Sequence, residues 1–206
     1  MTPHREPVLG WRLWRARRSR LHSWVVDHVW QPGPIEATCL KDDHRSKGLS
    51  FPLSEPCEQS PGEGCQCGVW SVWDLGRCVT KGRERGFSAG VTPVMGLIAG
   101  WGTVAVHGAE GFRAQHAAIL CLFSDSIWES WLDPSAIRPS MWWYRSWNQL
   151  RLEGWGRRSV DPLQRLALEY GVPMVRLAEA VQSGLLAEFG LPRQQIQAIE
   201  MALRAA

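Results

Sequence analysis

Four cysteines crowd one polar stretch of this chain. They are Cys39, Cys57 and the pair Cys65 and Cys67, the last two separated by a single residue in "PGEGCQCGVW". Four thiolates are a tetrahedral ligand set for zinc, and His44 lies nearby as a further ligand type. A bound ion would also explain how residues 41–64, polar with scattered Pro and Gly, stay ordered as a long loop. The Cys-x-Cys spacing is a weaker signal than Cys-x2-Cys. Residues two apart on a strand face the same way, so a knuckle has to turn between its ligands. Gly64 and Gly68 flank the pair and permit that turn. Two other readings stand beside the clasp: reduced thiols packed into the fold, and a disulfide or redox role. A structural bond between Cys65 and Cys67 themselves is implausible on geometry, whereas a longer one from Cys39 or Cys57 is compatible with it. A clasp requires Cys65 and Cys67 to face Cys39 or Cys57 across the loop. Cys78 and Cys121 sit in apolar surroundings and read as core.

A second constellation lies in "WGTVAVHGAEGFRAQHAAI". His107, Glu110, Arg113 and His116 fall around a turn, and facing strands would bring His107 near Arg113 or Gln115. As a polar site, His107, Glu110 and Arg113 would offer a base or ligand at Glu110 and an anion hook at Arg113. The alternative is a turn-stabilising Glu110–Arg113 pair with half-exposed histidines. No set of nucleophile, base and orienting group can be assembled, and the chain has no P-loop, G-x-G-x-x-G, G-x-S-x-G or H-E-x-x-H motif. A non-enzymatic role is therefore expected.

The two stretches together resemble a pattern shared by poorly characterised bacterial proteins. That pattern runs C-x-C-G, a small apolar residue and an aromatic one, then a strand with W/G-G-x-V, then an acidic-Gly-aromatic-R-A turn. The matching positions are Cys65, Cys67, Gly68 and Trp70, then Gly102, Val104, Glu110, Gly111, Phe112, Arg113 and Ala114, covering roughly residues 8–125. Where that family carries His-x-x-Pro ahead of its cysteine pair, this chain reads "FPLSEPC". The resemblance implies no activity. It implies that Cys65, Cys67, Glu110 and Arg113 belong to one folded site.

Two basic segments are interleaved with Trp. Residues 1–30 hold six Arg against Glu6 and Asp27, and residues 135–160 hold five against Glu153. Arg12, Trp14, Arg15, Arg17 and Arg18 in the first, and Arg145, Trp147 and Arg151 in the second, have the composition of a groove that tracks phosphates while bases rest on rings. Arg also stacks on Trp with no ligand present. The net charge of +3 is too small to argue the point, so the expected partner is either nucleic acid or an acidic protein surface. Further on, "LQRLALEYGVPMVRLAEAVQ" places Leu166, Ala167, Gly171, Val172 and Leu177 as a helix-turn-helix would. Its second helix holds Arg176 and Glu179 but no basic cluster, so packing or docking is the stronger reading.

The elements that must position these residues follow from periodicity and turn chemistry. "VLGWRLWRA" and "RLHSWVVDHVW" read as strands ended by "QPGP", and "IEATCL" as a short strand. Residues 69–79 hold a strand or a helical turn. The run from Gly86 to Ala109 is free of charge and long enough to span a bilayer. Its six Gly, Pro93, His107 and β-branched residues favour one or two buried strands instead. "HGAEG" then turns into the partner strand "FRAQHAAILCLF". The end of the chain reads as three helices, opened by Pro162, Pro173 and Pro192 and closed by Gly171 and Gly190. With 45% apolar and 21% charged residues and 13 Trp, the chain can build a packed core.

The expected fold is α+β: a strand-rich, Trp-containing domain over 8–125, a basic aromatic connection over 126–160, and a three-helix module over 161–206. The start of the sequence has charges where a secretory leader would be apolar, so the expected location is cytoplasmic. The expected function is a binding or adaptor protein clasped by zinc at Cys39, Cys57, Cys65 and Cys67. A helix-turn-helix regulator and an enzyme with a site near Glu110 and Arg113 are the alternatives.

Overall fold

The computed structural model describes residues 2–17, 19–26, 28–39, 57–85, 92–124 and 162–205. The architecture is mixed α+β. Strands β1 (Thr2–Arg17), β2 (Arg20–Ser23), β3 (Ile35–Glu36) and β4 (Val69–Val72) precede helix α1 (Leu75–Arg85). Strands β5 (Thr92–His107) and β6 (Gly111–Phe123) follow. Helix α2 (Pro162–Tyr170), strand β7 (Met174–Val175) and helices α3 (Leu177–Gln182), α4 (Leu185–Glu188) and α5 (Arg193–Ala205) complete the chain.

Within the charge-free run, residues 92–107 form one strand, β5. It lies antiparallel to β1 on one side and to β6 on the other. Val94 and Ile98 pack into one cluster, and Met95 and Leu97 into another. A strand buried on both faces has no reason to alternate polar with apolar residues, which is why its sequence mimics a membrane span. No described helix is long and apolar enough to cross a membrane. Residues 111–123, where Ala is frequent, form the second arm of the hairpin, as the Gly-rich turn favours. Glu110 N–H donates to His107 O at 3.0 Å within that turn.

Strand β4 pairs with β6 and touches β1 through Trp11 opposite Val72, so β1, β5, β6 and β4 form a closed ring. Closure brings backbones very near one another. A Cβ at Gly111 would lie 1.9 Å from Ser71 O, so only glycine fits there. The Ser71 hydroxyl donates to Trp11 O at 3.0 Å and fastens the crossing. Helix α1 starts where Asp74 Oδ1 accepts from Arg77 N–H at 2.8 Å, an N-terminal cap.

The C-terminal helices share the core of the sheet. One cluster joins Trp11, Leu97 and Phe123 to Leu177, Leu186 and Ile199. The other joins Trp14, Trp30 and Leu122 to Leu166 and Tyr170. Pro173 does not open the second helix as the sequence suggests. Residues 174–175 instead pair parallel with the end of β6, and α3 begins only at Leu177. The backbone hydrogen bonds that Leu122 N–H and Ser124 N–H donate to Pro173 O and Val175 O, each at 3.0 Å, outweigh the weak preference of two residues for helix.

Tyr170 ties α2 to the first strands. Its hydroxyl accepts from Leu21 N–H at 3.0 Å and donates to Trp30 O at 2.7 Å. Tyr170→Phe leaves both backbone groups buried without a partner, at a cost of about 1–3 kcal/mol. The expected outcome is a lower urea midpoint with an unchanged slope. An unchanged midpoint would show that this hydroxyl does not bind the two ends together.

Candidate metal centre

Strand β6 carries the groups that position the cysteines. Arg113 and Gln115 are two residues apart and share a face. Ala37 N–H donates to Gln115 O at 2.7 Å, which continues the β3–β6 pairing toward Cys39. Gln59 Nε2 donates to Gln115 Oε1 at 3.0 Å and to Thr103 Oγ1 at 3.2 Å, which anchors the chain beyond Cys57. Arg113, only 7% exposed, donates through Nη1 to the carbonyl oxygens of both Cys65 and Cys67. The turn between those cysteines is thus held by a guanidinium as well as by glycine.

The four sulfurs converge. All lie within 4.8 Å of one another. Cys39 Sγ is 3.7 Å from Cys65 Sγ, and Cys57 Sγ is 3.1 Å from Cys67 Sγ. The cysteine pair therefore faces Cys39 and Cys57 across the loop. Four sulfurs at 2.3 Å from a zinc ion would sit about 3.8 Å apart, a spacing that Cys39 and Cys65 match and Cys57 and Cys67 undercut. None of the chain's six cysteines is in a disulfide. A Cβ at Gly62 would fall 2.6 Å from Cys57 Sγ, so this glycine makes room for the sulfurs.

The electrostatics separate the thiols. Burial pushes the Cys57 and Cys65 thiols up. Burial pushes Cys67 up as well, but the Ser60 hydroxyl, the Gly62 N–H and the neighbouring thiols outweigh it and bring Cys67 down to about 7. Gly62 N–H donates to Cys67 Sγ at 3.3 Å. Cys78 and Cys121 are buried away from the cluster, and burial pushes each up to about 12, as expected of inert core thiols. Four adjacent thiolates repel one another unless a cation sits among them, so the cluster is suited to a metal ion.

The polar site expected at the hairpin turn is divided. Arg113 Nε donates to His107 Nε2 at 2.7 Å, and His107 stacks on Trp70 with ring centres 4.6 Å apart. The Arg113 guanidinium lies 5.2 Å from the centre of the Trp70 ring. Glu110 does not join them. It is exposed on the turn, 3.9 Å from Lys81 Nζ, and makes no pair with Arg113. Of the residues grouped by the family resemblance, Cys65, Cys67 and Arg113 come together and Glu110 stands apart. Gln115, Ser60 and Gly62 had no motif to announce them. In the sequence Gln115 stands only as a facing-strand neighbour of His107, and strand alternation from Arg113 was the pointer to its place beside the cysteines.

The first basic segment needs a correction. Trp14 has no exposed surface, and its ring packs edge-on against Trp30. Arg12 lies over the Trp30 ring at 4.7 Å and donates to Trp70 O and, at 3.3 Å, to Ser23 Oγ. Trp14 is therefore an interior residue and not a contact residue, whereas Arg12 is half-buried and engaged by these groups. Arg15 Nε donates to Ser23 O at 3.1 Å, while Arg17 is exposed at the end of β1. Arg18, His44, Arg145, Trp147 and Arg151, and the whole 126–160 connection, lie outside the described residues. Between α2 and α3, residues 171–176 include β7, so the connection is not a tight helix-turn-helix turn.

Burial, and secondarily the charge of Arg113, lower the His107 value below 6.5, with Glu110 opposing. The unfolded chain therefore takes up this proton first as pH falls. The stability due to neutral His107 is complete above about pH 6.5 and is lost as pH falls through the lower folded value. His107→Gln keeps an acceptor for Arg113 but does not titrate. Its Tm should fall less than that of the unaltered chain between about pH 7 and about pH 5. Equal slopes would assign the acid sensitivity to other groups.

Set against protein-family models, curated proteins and solved structures, the chain finds no match in any of the three.

Proposed function

We propose that this chain is a binding protein whose sheet is clasped by one structural zinc ion at Cys39, Cys57, Cys65 and Cys67. The convergence of the four sulfurs within 4.8 Å carries the reading. Four protein thiolates fill a tetrahedron and leave no position open for water or substrate, the arrangement of a structural zinc site. Zinc with four thiolates would bear a net charge of about −2. The buried Arg113 guanidinium and the Gly62 N–H to Cys67 are suited to offset part of that charge. The expected result is one zinc per chain in protein purified without chelator, lost together with thermal stability on Cys65→Ser. Protein that carries no metal, takes up none and shows six reduced thiols by intact mass would refute the clasp.

The partner we propose is an anionic surface, nucleic acid before acidic protein, reached through exposed arginine. The burial of Trp14 removes base stacking from the first basic segment. What supports contact there is the charge of Arg17, exposed at the β1 end. Binding to a mixed-sequence single-stranded oligonucleotide should weaken steeply with added salt, and Arg17→Ala should lower it further at fixed salt. No binding at low salt would remove nucleic acid and leave the acidic protein surface.

A further inference from the structure

The four cysteines are not equivalent. Cys57 and Cys67 approach to 3.1 Å, well inside the roughly 3.8 Å edge of a regular tetrahedron, whereas Cys39 and Cys65 stand 3.7 Å apart. A disulfide at about 2.05 Å is thus nearer for the first pair by geometry. Access also differs. Cys67 is 1% exposed and Cys39 4%, while Cys57 is half-buried. Cys39 and Cys57 both line a cleft of about 320 Å³ with Glu36, Glu58, Gln59 and Gln115, and Cys57 is the more exposed of the two. The two carboxylates at this cleft disfavour anionic oxidants and leave the approach to small uncharged ones. On the inner side, the backbone of Cys65 and Cys67 is held by Arg113. Cys67 is therefore a fixed nucleophile, and Cys57 has to move toward it by only about 1 Å.

Resting on the zinc reading, we propose that Cys57 and Cys67 form an oxidation site at which hydrogen peroxide closes a disulfide and releases the metal. The Cys57 sulfur attacks one peroxide oxygen and the O–O bond breaks. Cys57 becomes a sulfenic acid, and the departing hydroxide takes a proton to form water. The Cys67 thiolate then attacks the Cys57 sulfur, the S–S bond forms, and the S–O bond breaks with loss of a second hydroxide, which is also protonated. Two thiolates lose two electrons, and one peroxide with two protons becomes two waters. The ion is left with two of its four ligands and departs. A thiol reductant that reopens the disulfide restores the set.

The test treats the zinc-loaded full chain with hydrogen peroxide and follows zinc with a colorimetric chelator. Disulfides are then mapped by mass spectrometry of peptides from non-reduced protein. The expected result is release of the zinc, loss of two hydrogens from the intact mass, and a single new link between the Cys57 and Cys67 peptides. Cys78 and Cys121 should stay reduced. Dithiothreitol with added zinc should restore the original mass and metal content. Zinc retained under excess peroxide, a Cys39–Cys65 link, or sulfinic acid without any disulfide would each overturn the proposal while leaving the clasp standing. A chain that holds no zinc before peroxide is added overturns both.

Discussion

Backbone pairing along both edges of β6 is the constraint on which the other elements depend. One edge is taken by β5 along most of its length, and the other is shared by β4, β3 and β7 in succession. Buried N–H and C=O groups require partners, so each segment that meets β6 has its register set by β6. The first strands, the loop that carries the cysteines and the C-terminal helices all meet there. A change in β6 register would reverse the face of Arg113 and Gln115 and uncouple them from the cysteines.

Arg113 shows how one buried charge can serve two sites. Its guanidinium fixes the Cys65 and Cys67 carbonyls, donates to His107 and lies over Trp70. A buried cation is costly unless its donors are paired, and here carbonyls, an imidazole and a ring face share that task. The requirement to solvate Arg113 internally and the geometry of the cysteine turn therefore reinforce each other.

Among the described tryptophans, Trp11, Trp14 and Trp30 make core, whereas Trp70 is 37% exposed. Trp30, Trp70 and Trp73 place their indole N–H groups on Ser23 Oγ, Gln66 O and Gly108 O. Trp11 and Trp14 have no such partner. An unpaired indole N–H costs about 1–3 kcal/mol, whereas burying a ring of this size gains about 4–6 kcal/mol, so burial prevails. Arginine beside tryptophan in the sequence suggests a nucleic-acid groove. In β1 a half-buried Arg12 instead rests on the ring of Trp30 within the chain itself.

Much of this was legible in the residues themselves. Gly and Pro marked the hairpin turn and four helix ends, at Pro162, Gly171, Gly190 and Pro192, and the β-branched run of 92–107 announced a strand. The cysteine types defined a ligand set before any geometry was known, because thiolate chemistry belongs to the residue. Sequence could not say that Gln115 would anchor both arms of the loop, that Glu110 would turn away to Lys81, or that Met174 and Val175 would leave the helix for the sheet. Nor could it distinguish an exposed Trp14 from a buried one. Those outcomes depend on which surfaces meet across long separations in the chain. Local composition and spacing determined the elements and the available chemistry, and only the tertiary pairing along β6 decided which of those groups share a site.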